Sequence, residues 1–67
     1  MVTIGAVLKD LMACNDVSQR QLARETNLSI STISRLVNDR GEPTVEALEK
    51  LADHFGVSTD YLLGRED

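Results

Sequence analysis

Aromatic side chains are nearly absent: the 67-residue chain has one phenylalanine, one tyrosine and no tryptophan, so any core must be built from aliphatic residues. The single cysteine, Cys14, has no partner in the chain. That excludes an internal disulfide and makes a reducing cytoplasm the expected location. With one histidine, His54, and no cysteine or carboxylate around it at ligand spacing, no metal or cofactor is expected, and His54 reads as a surface or helix-end residue. Neither a Ser-His-Asp nor a Cys-His order is credible, and no glycine-rich phosphate loop is present; the chain is not expected to be an enzyme. No apolar run approaches the ~20 residues that cross a bilayer, and no basic stretch followed by an apolar one opens the chain as a signal peptide would. A generally basic character is lacking too, since the net charge is -4. The charge is unevenly placed, however. Residues 1–40 hold five bases and four acids, whereas residues 41–67 hold two bases and seven acids. The chain is dipolar, and the sign of each local face matters more than the total.

What is present is helical periodicity. One proline and four glycines punctuate the chain, and no alternating strand pattern occurs, so the length supports a single all-α domain, residues 1–67, of five short helices. Ile4, Val7, Leu8, Leu11 and Met12 make one apolar face of a helix over about 3–13. Cys14 follows that face and reads as a small buried hydrophobe. Ser18 with Gln21 is a capping-box pattern opening a helix over 18–26, with Leu22 and Ala23 inward. Asn27 then stands where a positive φ is wanted, which Asn tolerates. Ser29 caps a helix ending by Asn38 (29–38), with Ile33, Leu36 and Val37 as its buried stripe. The helix over 44–55 buries Val45, Leu48, Leu51, Ala52 and Phe55, carries Glu46 in its first turn and ends at Gly56. Ser58 caps the last helix, 58–63, whose Tyr61, Leu62 and Leu63 complete the core.

The second and third helices are separated by only about three residues, the spacing of a helix-turn-helix. On the third, the face away from the stripe offers Ser31, Thr32, Ser34 and Arg35. Small hydrogen-bonding groups on one side of a short helix suit a helix lying in a DNA major groove.

The ordered set Ser18-Gln19-x-x-Leu22-Ala23, Leu28-Ser29, Ile33-Ser34-x-Leu36, Pro43-Thr44 and Phe55-Gly56-Val57-Ser58-x-x-Tyr61-Leu62-Leu63 resembles the lambda-repressor-like, Cro/C1-type (XRE family) helix-turn-helix DNA-binding domain over about residues 4–64. The resemblance implies a compact five-helix bundle and a sequence-specific regulator, a phage-type or bacterial repressor, occupying a double-stranded operator as a homodimer on an inverted repeat. It implies base contacts from Ile30, Ser31, Thr32 and Arg35. Arg35 can donate twice to a guanine, and the methyls of Ile30 and Thr32 suit a thymine methyl. Backbone contacts are implied for Gln19, at a helix N-terminus that favours anions, and for Ser34, Asn38 and Arg40, with Lys9 and Ser18 adding to them. There are departures: Asn27 stands where the family usually has glycine, and Asp39-Arg40 precede Gly41 where a glycine often follows the third helix directly.

Each assignment has a plainer rival. Arg35 can pair with Asp39 at i+4, Gln19 can be an idle helix-start residue, and Ile30 can pack on the neighbouring helix. At least one of Arg20 and Arg24 is expected to pair with Glu25 or an acid of the fourth helix. If the third helix faces DNA, Glu42, Glu46, Glu49 and Asp53 belong on the side away from it. Tyr61, Leu62 and Leu63 are either core or dimer contacts. As a whole, the chain could instead be a protein-interaction module, such as an antitoxin, that kept the fold and binds little or no DNA; a partnerless bundle would explain the core stripes but not the polar face.

Overall fold

The computed structural model describes residues 2–65; Met1, Glu66 and Asp67, the ends of the expected 1–67 domain, lie outside the described residues. Five helices follow one another: α1 (Ile4–Cys14), α2 (Gln19–Thr26), α3 (Ile30–Val37), α4 (Val45–Phe55) and α5 (Thr59–Leu62), with no strand among the described residues. They are short because each is opened and closed by its own chemistry. Thr3, Ser18, Ser29, Thr44 and Ser58 each stand one residue ahead of a helix in extended backbone. Each hydroxyl accepts the N–H three residues on, satisfying one of the donors a helix start leaves open. Ser18 does half of the expected capping box: its hydroxyl accepts from the Gln21 N–H, but the Gln21 amide turns away and donates to Glu25.

Closure is equally uniform. A left-handed residue follows each helix body: Asp16, Asn27, Asp39, Gly56 and Gly64. The next residue's N–H then reaches back to a carbonyl of the last turn, as Val17 to Met12, Leu28 to Ala23, Arg40 to Arg35, Val57 to Ala52 and Arg65 to Asp60. This is the Schellman closure. Asn27 takes the role its side chain suggested, and Asp39 fills the position after α3 with φ 57.

The core is aliphatic. Leu8, Leu22, Ile33, Leu51 and Leu62, from five different helices, are the large side chains fully shut from solvent. Val7, Ala23, Leu36, Val37, Ala47 and Ala52 pack among them. Thr26 is the one buried polar residue among the described residues, and its hydroxyl donates to the Leu22 carbonyl at 2.7 Å, so its polarity is satisfied within its own turn. α3 lies between α1 and α2, α4 packs on α2 and α5, and α5 returns to α1.

Four side chains depart from the sequence reading. Cys14 is exposed, because burial fades along α1 from Val7 and Leu8 through half-buried Leu11 and Met12 to its last residue. Val45 is 70% exposed at the start of α4. Only Leu62 of the Tyr61–Leu63 trio is core; Tyr61 is exposed and Leu63 half-buried.

Candidate nucleic-acid interface

The buried stripe of α3, Ile33, Leu36 and Val37, fixes the rotation of the helix and turns the opposite face to solvent. Ser31 and Arg35 are fully on that face, with Asn38 just beyond the helix. Ile30 is 46% exposed, so it is not merely packed on a neighbour. Thr32 and Ser34 sit at the margins and are half-buried. The Thr32 hydroxyl shares a 2.8 Å hydrogen bond with the Ser29 hydroxyl, whose oxygen also accepts the Thr32 N–H. The Thr32 hydroxyl therefore keeps two further hydrogen-bonding positions. Asn38 donates its side-chain amide to the Ser34 carbonyl at 2.8 Å, and the same carbonyl takes its main-chain N–H. One amide hydrogen is left for an outside acceptor.

Arg35 does not pair with Asp39. The Asp39 carboxylate is held elsewhere, accepting from the Thr3 hydroxyl at 2.8 Å and from the Gly5 N–H at 2.9 Å. Among the described residues Arg35 has no acid within ion-pair distance, and its guanidinium donors are open. Arg40 is exposed immediately after Asp39, and Lys9 is exposed one helical turn beyond Gly5, the residue at which α1 meets the end of α3. Gln19, the first residue of α2, is half-buried. Ser18 beside it still has a hydroxyl hydrogen to donate, since its oxygen serves as the acceptor of the cap.

Two expectations about charge are corrected. Glu42 and Glu46 do not lie on the far side of the molecule. With Thr32, Arg35, Leu36 and Pro43 they line one open groove of about 360 Å³ between α3 and the start of α4. The reason is local: the loop after α3 turns back, and Glu46 rides on the first turn of α4 beside it. Glu46 is tied to Lys50 at 3.1 Å, whereas Glu42 has no ion pair or hydrogen bond among the described residues. Asp53 does lie elsewhere, in a shallow groove with Glu25, Thr26, Lys50 and His54. Nor, among the described residues, does Arg20 or Arg24 pair with Glu25 or with an acid of α4. The Glu25 carboxylate receives His54 Nε2 at 2.6 Å and the Gln21 amide at 3.0 Å. The contact with His54, then that with Gln21, holds this carboxyl below its ordinary value of 4.5, with Arg24 adding only a through-space pull. His54 thus links the last turn of α4 to α2, with its ring edge-on to Phe55.

The described residues contain no group of three His, Cys, Asp or Glu placed to hold a metal ion, and none of their helices is long and apolar enough to cross a membrane.

A helix-turn-helix family model matches residues 8–62. The HTH-type transcriptional regulator ImmR of Bacillus subtilis (strain 168) is 30% identical over 66 residues, covering 98% of this chain and 52% of that protein. The immunity repressor protein of Bacillus phage phi105 is 31% identical over 65 residues, covering 97% and 45%. A solved structure, that of a transcriptional regulator from Listeria innocua, superposes with a TM-score of 0.83 at 25% identity over 97% of this chain and 61% of that one. The chain spans about half the length of the curated relatives it matches.

Proposed function

The chain belongs to the helix-turn-helix family, and from that premise we propose that it is the DNA-binding unit of a transcriptional repressor, reading a double-stranded operator with α3 in the major groove. One observation carries this reading: α3 buries Ile33, Leu36 and Val37 and leaves Ser31 and an unpaired Arg35 facing solvent. In this reading Ile30, Ser31, Thr32 and Arg35 touch base edges. Ser18, Gln19, Ser34, Asn38, Arg40 and Lys9 touch the sugar-phosphate backbone and fix the register. Repression follows from occupancy, because a protein seated in the groove excludes polymerase from the same DNA. One domain offers few phosphate contacts, so tight binding calls for two copies on an inverted repeat with half-site centres roughly 34 Å apart.

The relative named as an immunity repressor supports the repressor role, and the exposed face of α3 supports its part in reading DNA. The acids Glu42 and Glu46 beside Arg35 favour a second reading, a protein-interaction module with weak or no DNA binding. Selection of bound duplexes from a random pool separates the two. The repressor reading expects an enriched inverted repeat and affinity falling steeply with salt. A pool that shows no enrichment, with binding insensitive to salt, leaves the interaction module standing.

A further inference from the structure

Among the described residues, the side-chain hydrogen bonds between the start of α1 and the end of α3 come from Asp39. It stands just past α3 at φ 57, in a left-handed conformation that side-chain-bearing residues seldom adopt. From there one carboxylate oxygen accepts the Gly5 N–H at 2.9 Å and the other accepts the Thr3 hydroxyl at 2.8 Å. Gly5 is the second residue of α1, so the Asp39 carboxylate serves as a second N-cap for α1, supplied from 34 residues away in sequence. It also brings a negative charge to the positive end of that helix. The approach is close enough that a Cβ on Gly5 would meet the Val37 carbonyl oxygen at 2.5 Å and Asp39 Oδ2 at 2.7 Å.

We propose that Asp39 is a positioning residue for DNA reading: by clamping the C-terminal end of α3 to the N-terminus of α1, it sets the angle at which α3 presents its outer face. The inference rests on the reading of α3 as the DNA-reading helix. Two consequences of the clamp point the same way. It fixes the backbone between Arg35 and Arg40, whose carbonyl and N–H are themselves bonded at 2.8 Å. It also keeps the carboxylate away from Arg35, four residues back, so the guanidinium stays unpaired. Base edges demand this orientation, whereas phosphate attraction does not.

The variant Asp39→Gly removes only the side chain, since glycine adopts positive φ at no steric cost. Asp39→Asn is the conservative partner: its carbonyl can take the Gly5 N–H and its amide can donate to the Thr3 hydroxyl. Both are titrated by fluorescence anisotropy against the duplex that the wild-type chain selects and against random duplex, at a temperature where circular dichroism shows each variant fully folded. For Asp39→Gly the expected result is about a tenfold fall in the selected-to-random affinity ratio, with random-duplex affinity nearly unchanged. Asp39→Asn is expected to stay close to wild type. A purely structural clamp would lower the melting temperature and leave the ratio alone; a folded Asp39→Gly with the wild-type ratio overturns the proposal. If Asp39→Gly does not fold, Thr3→Val removes the Thr3–Asp39 bond together with the Thr3 cap on the Ala6 N–H, and its selected-to-random ratio is read in the same way at a temperature where it is folded. A wild-type chain that prefers no duplex overturns the DNA-reading premise itself, an outcome visible before any variant is made.

Discussion

Arg35 carries its charge on an exposed turn of α3 with no acid bonded to it, and the candidate four residues on, Asp39, is held by Thr3 and Gly5. Its removal should therefore separate recognition from folding. Arg35→Ala is expected to cost about 1–3 kcal/mol of discrimination at a single base pair. Its melting midpoint should stay close to wild type, since an exposed residue without a partner contributes within about 0.5 kcal/mol to stability. Repeating the duplex selection with the variant reads the first effect and a thermal melt the second. An unchanged base preference removes Arg35 from the reading face. At this scale the sequence was legible wherever the cause was local. The hydroxyl caps Ser18, Ser29 and Ser58 and the left-handed Asn27 follow from side-chain chemistry within a few residues; Thr3 and Thr44 cap their helices as well, one residue ahead of where each helix begins. Cys14 was not legible, because helical spacing gives the face a residue lies on but not how far the packed neighbours extend along the helix.

The five helices lie within a residue or so of their expected limits, since each carries its own start and stop. What spacing within a helix could not reveal is how helices are tied across the bundle. The Asp39 bonds to Thr3 and Gly5 span 36 and 34 residues, and the Glu25–His54 pair spans 29. Each tie has a measurable consequence. Gly5→Ala gains helix propensity of about 1 kcal/mol. Against that, it drives a methyl into the Val37 carbonyl, a backbone atom that cannot swing aside, and crowds Asp39. Overpacking of this kind costs about 1–3 kcal/mol, so a net loss is expected, seen as a melting midpoint several degrees lower; a midpoint at or above wild type would show that α1 can shift off α3 freely. The Glu25 tie should appear as pH dependence. Its carboxyl titrates below the ordinary value of 4.5 in the folded chain, chiefly through His54. A depressed folded value means that the native state binds its proton later than the unfolded chain does. The stabilisation is therefore complete above the ordinary glutamate range and is lost as the pH falls through the folded value. Urea unfolding from about pH 6 down to about pH 3 should show the advantage of wild type over Glu25→Gln shrinking toward the acid end. A gap that stays constant would mean that the carboxylate charge contributes nothing to the link.

Across the whole molecule, the acid-rich second half of the sequence is not kept clear of the candidate DNA face. Charge counting located the excess in residues 41–67; it could not locate the loop that carries Glu42 back beside Arg35. Glu46 is partly offset by Lys50, which leaves Glu42 as the unpaired carboxylate of the groove. If α3 enters the major groove, that carboxylate faces phosphates and opposes binding to every duplex. Two charges about 7 Å apart in water interact by about 0.6 kcal/mol, a factor of roughly three in affinity. Glu42→Gln is thus expected to bind selected and random duplexes about threefold more tightly, with the gain shrinking as added salt screens it. Glu49→Gln removes the same charge from an exposed site on α4 that lines neither groove, and it should change affinity much less. Equal gains from the two variants would mean that only net charge matters and that the groove beside Arg35 does not face the DNA. A gain confined to Glu42 would show that this face approaches the phosphates, and that the chain holds down its general affinity for DNA so that base contacts decide where it binds.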